Sequence, residues 1–230
     1  MLSAIAIVPS APVLVPELAG AAAGEVADLT AAVLAAAALL PPRWVVVGCG
    51  PADEILSPGA VGTFAGFGAD VRVGFSPQAD VTGTPAALPV CALLAGWVRG
   101  RAQPGATAEV RVFSTDHDAA TALACGGLLR ADIDRLPDPT GVLVVADGAN
   151  TLTRAAPGGY DPRNADAQLA LDNALANGDV VTLSRLPPQI LGRVAFQVLA
   201  GLAEPGPRSA KELYRGAPYG VGYFAGAWQL

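Results

Sequence analysis

The chain has 230 residues, of which 52% are hydrophobic and 15% charged, so it can bury the core of one globular domain. Its 20 acidic and 14 basic residues give a formal charge of -6, which opposes the basic surface that nucleic-acid binding requires. The longest apolar run, residues 31–40, stops at two prolines, well short of the roughly 18 residues of a membrane-spanning helix. We therefore expect no nucleic-acid partner and no membrane insertion.

The counts of basic residues, cysteines and histidines restrict location and chemistry further. The first basic residue is Arg43, so the apolar N-terminus lacks the charged start of a signal peptide and predicts a cytoplasmic protein. The cysteines Cys49, Cys91 and Cys125 are far apart and predict reduced, buried thiols. With His117 as its only histidine, one chain cannot build a site on two or three imidazoles, as most zinc and non-haem iron enzymes do.

Short β-branched runs alternate with longer Ala- and Leu-rich segments, which is typical of βα units around a buried sheet. The predicted strands are residues 4–8, 44–47, 71–75, 109–114 and 142–146. The predicted helices are residues 25–40, 86–100, 118–129, 164–177 and 188–203, and the aromatic, glycine-rich residues 217–230 predict a closing strand. The pattern predicts one α/β domain with a central, mostly parallel or mixed sheet flanked by helices.

Long connections rich in proline and glycine follow several of these strands. They span residues 9–24, 48–70, 76–85 and 147–163. In an open α/β sheet, ligands bind to the loops that leave the carboxyl ends of the strands. We therefore expect a ligand cleft at the strand exits.

Two of these exits carry polar residues in a rigid or turn-forming context. Three prolines between residues 9 and 16 restrict the backbone around Ser10, which either orients this side chain or makes a structural crossover. Asp147 and Asn150 follow the strand at 142–146, where they either face a ligand or metal or form an Asx-type turn with nearby backbone.

Two further exits carry a histidine and a thiol. His117 lies between Asp116 and Asp118, so it is either an acid or base near neutral pH or a solvated residue beside an aspartate N-cap. Cys49 follows the second strand, but its glycines are adjacent rather than two residues away, as a nucleophile elbow requires. A Cys49–His117–Asp hydrolase is therefore a weaker hypothesis than an inert thiol. Asp53 lies in the same loop as Cys49.

In their order and spacing, these motifs resemble the class III extradiol ring-cleavage dioxygenase family, which is related to Memo-like proteins. Residues 9–17, Pro-Ser-Ala-Pro-Val-Leu-Val-Pro-Glu, resemble the family's Pro-His-x-Pro-Leu-Leu-x-Pro-Glu segment. Residues 146–150 resemble its strand followed by Ser-Asp-x-Ser-His, and residues 219–227 resemble its last strand. Residues 156–163, Ala-Pro-Gly-Gly-Tyr-Asp-Pro-Arg, are most similar to a short actinobacterial subgroup.

The resemblance implies that residues 1–230 form one dioxygenase-like domain. In that family two histidines and a carboxylate hold Fe(II), which binds a catecholate and O2. Here Ser10 stands at the position of the first metal histidine and Asn150 at that of the strand-exit histidine. The resemblance therefore predicts a degenerate member without a metal cofactor, which binds a small molecule or a partner in a cleft lined by Ser10, Asp147 and Asn150.

Two alternatives remain open. The first is an active non-haem metal-dependent oxidoreductase, a ring-cleavage dioxygenase that holds Fe(II) or zinc with an unusual ligand set. That set would be Cys49, His117, Asp147 and Glu212. The second is a scaffold that forms a homo-oligomer or pairs with a partner subunit through a large apolar surface patch.

Overall fold

The computed structural model describes residues 1–230 and contains nine strands, seven α-helices and three short 3-10 helices. The strands are β1 Leu2–Val8, β2 Arg43–Gly50, β3 Glu54–Leu56, β4 Val61–Thr63, β5 Arg72–Gly74, β6 Thr107–Ser114, β7 Thr140–Val145, β8 Ser209–Gly216 and β9 Tyr223–Gln229. The α-helices are α1 Pro16–Ala19, α2 Ala27–Ala37, α3 Val90–Ala102, α4 Ala119–Asp134, α5 Asn164–Asn177, α6 Val180–Leu183 and α7 Arg193–Ala203. The 3-10 helices are Pro12–Leu14, Gly20–Gly24 and Phe64–Phe67.

Seven strands form the central sheet in the order β3-β6-β2-β7-β1-β9-β8. The inner strands β6, β2, β7 and β1 are parallel to one another. At one edge β3 is antiparallel to β6, and at the other β9 is antiparallel to both β1 and β8. The predicted α/β fold with a mixed central sheet flanked by helices is confirmed.

Two apolar layers cover the sheet, one on each face. Because side chains alternate along a strand, Ala6 and Val8 of β1 face the layer that includes α2 and α3, whereas Ile5 and Ile7 face α4, α5 and α7. Every residue of β7 is buried. A strand with helices on both faces is largely apolar, which explains the hydrophobic run at residues 142–145.

Several strands and one helix differ from the sequence prediction. The predicted strand at 71–75 forms β5, but it pairs with β4 in a separate two-stranded sheet and not in the central one. The predicted helix at 188–203 begins only at Arg193, because two prolines and Gly192 occupy the positions before it. The strands β3, β4 and β8 were not predicted, since β3 and β4 have three residues each and β8 is a half-exposed edge strand.

None of the helices combines the length and the apolar character that a membrane span needs.

Candidate functional site

The structure brings Ser10 and Asp147 together at the carboxyl ends of two adjacent parallel strands. The strands β1 and β7 are paired up to Val8 and Val145, so the residues that follow them leave the sheet side by side. The backbone N–H of Ser10 donates a hydrogen bond to Asp147 Oδ1 over 2.8 Å. The Asp147 carboxylate thus joins two strand exits and does not form the local Asx-type turn that was one of the sequence interpretations.

The side-chain carboxyl group of Asp147 has a raised pKa. Burial raises its pKa to about 7, and the Ser10 N–H opposes this rise only in part. Tyr223, the first residue of β9, lies close enough to respond to this charge: burial first, and then the negative charge of Asp147, raise the pKa of its phenol. At neutral pH Tyr223 is therefore a hydrogen-bond donor, while Asp147 exists in both protonation states.

Hydrogen bonds to other segments hold the backbone around Asp147. Gly148 N donates to Gly222 O over 2.9 Å, and Gly222 N donates to Ala149 O over 2.8 Å. From the amino end of α7, Gly192 N donates to Asp147 O over 2.8 Å. These bonds fix the exit of β7 against the start of β9, and so fix Asp147 relative to Tyr223.

Two buried polar residues of α5, Gln168 and Asp172, complete this support. Gln168 Oε1 accepts a hydrogen bond from Ala149 N, and Gln168 Nε2 donates to Asp172 Oδ1, each over 2.8 Å. Burial raises the pKa of Asp172 to about 6, with Gln168 and Arg215 opposing the rise. The sequence analysis missed both residues, although they fall on the same helix face as the buried Leu171, a signal that could have identified them.

The third predicted cleft residue, Asn150, is held elsewhere. Its backbone oxygen accepts a hydrogen bond from Gly158 N over 3.0 Å. A Cβ at Gly158 would lie 2.4 Å from Asn150 Oδ1, so the amide packs closely against this glycine. The structure joins Ser10 to Asp147 but does not join Asn150 to either residue.

A second polar group lies at the exit of β6. His117 Nε2 lies 2.8 Å from Asp53 Oδ1 and 3.0 Å from Asp53 Oδ2, and Ser114 N donates to Asp53 Oδ1 over 2.7 Å. Asp118 caps α4 by accepting a hydrogen bond from Thr121 N. The predicted aspartate cap is therefore correct, but the carboxylate partner of His117 is Asp53 rather than a flanking aspartate.

Cys49 does not form a catalytic pair with His117. Burial raises the pKa of its thiol to about 11, which outweighs the opposing effects of the Ala195 N–H and the Arg193 guanidinium. Arg193 Nη2 donates to His117 O over 3.1 Å, so the arginine lies between the two regions. A protonated thiol is a poor nucleophile, and the hydrolase hypothesis has no support from this geometry.

The alternative metal ligands are not assembled. Glu212 is paired with Arg215 on β8, whereas Asp147 lies at the exit of β7 and His117 beyond β6. The structure contains no group of three or more His, Cys, Asp or Glu side chains placed to hold a metal ion. The proposed set of Cys49, His117, Asp147 and Glu212 is therefore not brought together.

Two cavities lie away from the Ser10–Asp147 site, between α4 and the strands β2, β3 and β6. Their volumes are about 700 and about 410 Å³, and both are lined by Arg111, Leu129 and Asp132. We call these two neighbouring cavities together the α4–β6 groove. Of the predicted cleft residues, only Asp53 lines it.

No family model matches the chain, and no curated protein matches it. Among solved structures, the chain is similar to an uncharacterized protein of Escherichia coli K12, JW3007, with a TM-score of 0.54. The two share 11% sequence identity, and the similarity covers 98% of this chain and 99% of the other. At this identity the similarity shows a common fold over nearly the whole length.

Proposed function

We propose that the chain binds a small hydroxylated aromatic molecule of the catechol type at Asp147, without a resident metal ion. It would be a degenerate relative of the class III extradiol dioxygenase family. The observation that carries this proposal is the position of Asp147, a partly buried carboxylate where two parallel strands end side by side. In open α/β sheets this edge is where ligands bind.

The chemistry of the site suits a ligand that carries hydroxyl groups. The backbone N–H of Ser10 donates a hydrogen bond to Asp147 Oδ1. Asp147 Oδ2 is therefore left to accept a hydrogen bond from a ligand hydroxyl. Tyr223 supplies a phenolic donor for a ligand oxygen. Tyr214 and Tyr219 are near enough to Tyr223 to contribute to its raised pKa, so three tyrosines lie on this side of the β7 exit. Aromatic side chains favour contact with an aromatic ligand ring.

The residues at this site do not fit the iron centre that the resemblance implies. A serine hydroxyl is a poor ligand for Fe(II), and Ser10 takes the place of the first metal histidine. Asn150 packs against Gly158, and its neutral amide cannot carry a proton as a histidine does. Asp147 is thus the one carboxylate at this exit, and binding through it requires no metal.

The first experiment is a titration with catechol in the presence of a chelator at pH 8, followed by calorimetry. We expect the Asp147→Asn variant to bind at least about tenfold more weakly, because a hydrogen bond to a charged acceptor contributes about 1.5–3 kcal/mol. Asp166→Asn, an exposed change in α5, is the matched control and should bind like the wild type. Absence of catechol binding by the wild type, or equal binding by Asp147→Asn, would contradict the proposal.

Removal of the phenolic hydroxyl tests the second contact. Tyr223→Phe keeps the buried ring and should weaken catechol binding about fivefold, the effect of losing one neutral hydrogen bond. Tyr160, whose side chain is 53% exposed, provides the control variant Tyr160→Phe. Equal affinities of the two variants would show that Tyr223 does not contact the ligand.

The metal-dependent alternative has its own test. After anaerobic loading with Fe(II) and desalting, we expect mass spectrometry to find almost no iron bound to the wild type. About one iron per chain would support an active metalloenzyme instead. The double variant Ser10→His/Asn150→His should show no catechol-dependent oxygen uptake, because a third metal ligand is also missing.

A further inference from the structure

The side chain of Gln168 fills a space that two glycines leave open. A Cβ at Gly148 would lie 2.0 Å from Gln168 Oε1, and a Cβ at Gly222 would lie 2.1 Å from the same atom. Gly148 follows β7, and Gly222 precedes β9. Gln168 is therefore wedged between the two segments that carry Asp147 and Tyr223.

The orientation of the Gln168 amide is set by what it contacts at each end. An amide side chain has one accepting atom and one donating group. Asp172 Oδ1 accepts from Gln168 Nε2, so Gln168 Oε1 faces Ala149 N, which donates to it. Arg215 and Glu212 are the charged neighbours of Asp172 from β8, and their charges oppose each other at this carboxyl.

We propose that Gln168 is the positioning residue of the Asp147 site, and that Asp172 fixes the direction in which Gln168 accepts. Gln168 holds Ala149, and the hydrogen bonds between Gly148, Gly222 and Ala149 pass this constraint to Asp147 and Tyr223. Gln168 does not contact the ligand. The proposal rests on the proposed function, because it concerns the geometry of the same binding site.

Hydrogen exchange of two backbone amides separates positioning from local packing. In Gln168→Leu, the Ala149 amide loses its acceptor and should exchange at least about tenfold faster. If Gln168 positions Asp147, the Ser10 amide, which donates to Asp147 Oδ1, should also exchange about tenfold faster. Gln78→Leu, at an exposed loop position, is the control and should leave both amides unchanged.

A reciprocal pair of substitutions tests the role of Asp172. Gln168→Glu places a carboxylate against Asp172, which repels it, and should increase exchange at Ala149 and Ser10 as Gln168→Leu does. In Gln168→Glu/Asp172→Asn, the new glutamate can accept hydrogen bonds from Ala149 N and from the new asparagine amide. The pair of side chains keeps the net charge that it has in the wild type. We expect both exchange rates and the catechol affinity to return to within about threefold of the wild type.

The outcomes distinguish this inference from the proposed function. Wild-type exchange at Ser10 in Gln168→Leu, or no recovery in the double variant relative to Gln168→Glu, would overturn the positioning role. If Gln168→Leu does not fold, the comparison of Gln168→Glu with the double variant decides. If the wild type does not bind catechol but Ser10 exchange responds as expected, the positioning role holds and the proposed ligand is wrong.

Discussion

Asp147 and Asp172 are two carboxyl groups whose pKa values rise on folding, to about 7 and about 6, because both become buried. Their ordinary value is 3.8. Between that value and the folded values, the native state holds more protons than the unfolded state. The free energy of unfolding therefore falls as the pH rises from about 4 to about 7, and these two groups add no further change above that range.

Asp147→Asn should remove the Asp147 part of this pH dependence. At pH 8 we expect the variant to be more stable than the wild type by on the order of 2–4 kcal/mol, because one pKa unit corresponds to about 1.4 kcal/mol. At pH 4, close to the ordinary value of 3.8, Asp147 is protonated in the native state and about half protonated in the unfolded state, so the difference should largely vanish. Urea unfolding between pH 4 and pH 8 measures this. An equal gain at both ends would show that ionisation of Asp147 is not its cause.

The three thiols should differ in reactivity in the order of their burial. Burial raises the pKa of Cys49 to about 11 and that of Cys91 to about 12, so both are almost entirely protonated at pH 8. Cys125 is partly exposed on α4, and we expect iodoacetamide to label it first, with Cys49 next and Cys91 last. Peptide mass spectrometry gives the order. Rapid labelling of Cys49 would instead revive the hypothesis of a cysteine nucleophile.

At the scale of elements, α4 and α7 pack backbone against backbone through glycines. A Cβ at Gly126 would lie 2.2 Å from Val198 O, and a Cβ at Gly201 would lie 2.1 Å from Leu123 O. Any side chain at these positions forces the two helices apart. This contact matters for the site because Gly192, the residue before α7, donates a hydrogen bond to the backbone oxygen of Asp147.

Gly126→Ala and Gly127→Ala form a matched pair on α4. Gly126→Ala should lower the free energy of unfolding by about 1–3 kcal/mol, since the helices must separate to admit the methyl group. A Cβ at Gly127 meets nothing within 4 Å, so Gly127→Ala should raise it by about 0.5–1 kcal/mol through helix propensity. Thermal unfolding compares the two variants. Equal changes in both would show that the helix contact does not limit residue size.

The accuracy of each predicted helix boundary depended on whether a residue at that boundary signals it. Residues 164–177 form α5 as predicted, and the helix ends at Gly178, which adopts a left-handed conformation with φ 70°. The prediction for α7 began too early because an apolar pattern extends over Pro187 and Pro188, although proline cannot continue a helix into its interior.

Over the whole molecule, the interior of the sheet is covered on both faces and its β3 edge is open. Ile55 on β3 and Leu128 on α4 are 60% and 69% exposed beside the α4–β6 groove. Carboxylates such as Asp53 and Asp132 lie between these apolar groups. The pairing with a partner subunit or a second copy through a large apolar patch, which the sequence analysis left open, stays a prediction.

The coverage of the sheet predicts a graded pattern of local opening. Amides of β1, β2 and β7, which are inner strands with neighbours on both sides, should exchange slowest. The short strand β3 and the β4–β5 pair should exchange fastest among the strands, because each has three residues. Hydrogen-exchange mass spectrometry checks this order. Slow exchange at β3 in a concentrated sample would indicate that a partner covers the edge.

The α/β class, the inner strands and the polar residues at their exits were predictable from the sequence. Each depends on patterns within about 20 residues: alternating β-branched runs, helical spacing, and a strand that ends in Asp147. Ser10 and Asp147 were both identified in this way, but only as separate segments.

The contacts between distant segments required the tertiary structure. Ser10 and Asp147 are 137 positions apart, and His117 lies 64 positions from its partner Asp53. Which strands are neighbours decides which exits meet, and that order follows from the packing of helices on both faces rather than from any local pattern. Gln168 likewise reaches the Asp147 loop because α5 packs against that loop. The sequence around either residue does not indicate this contact.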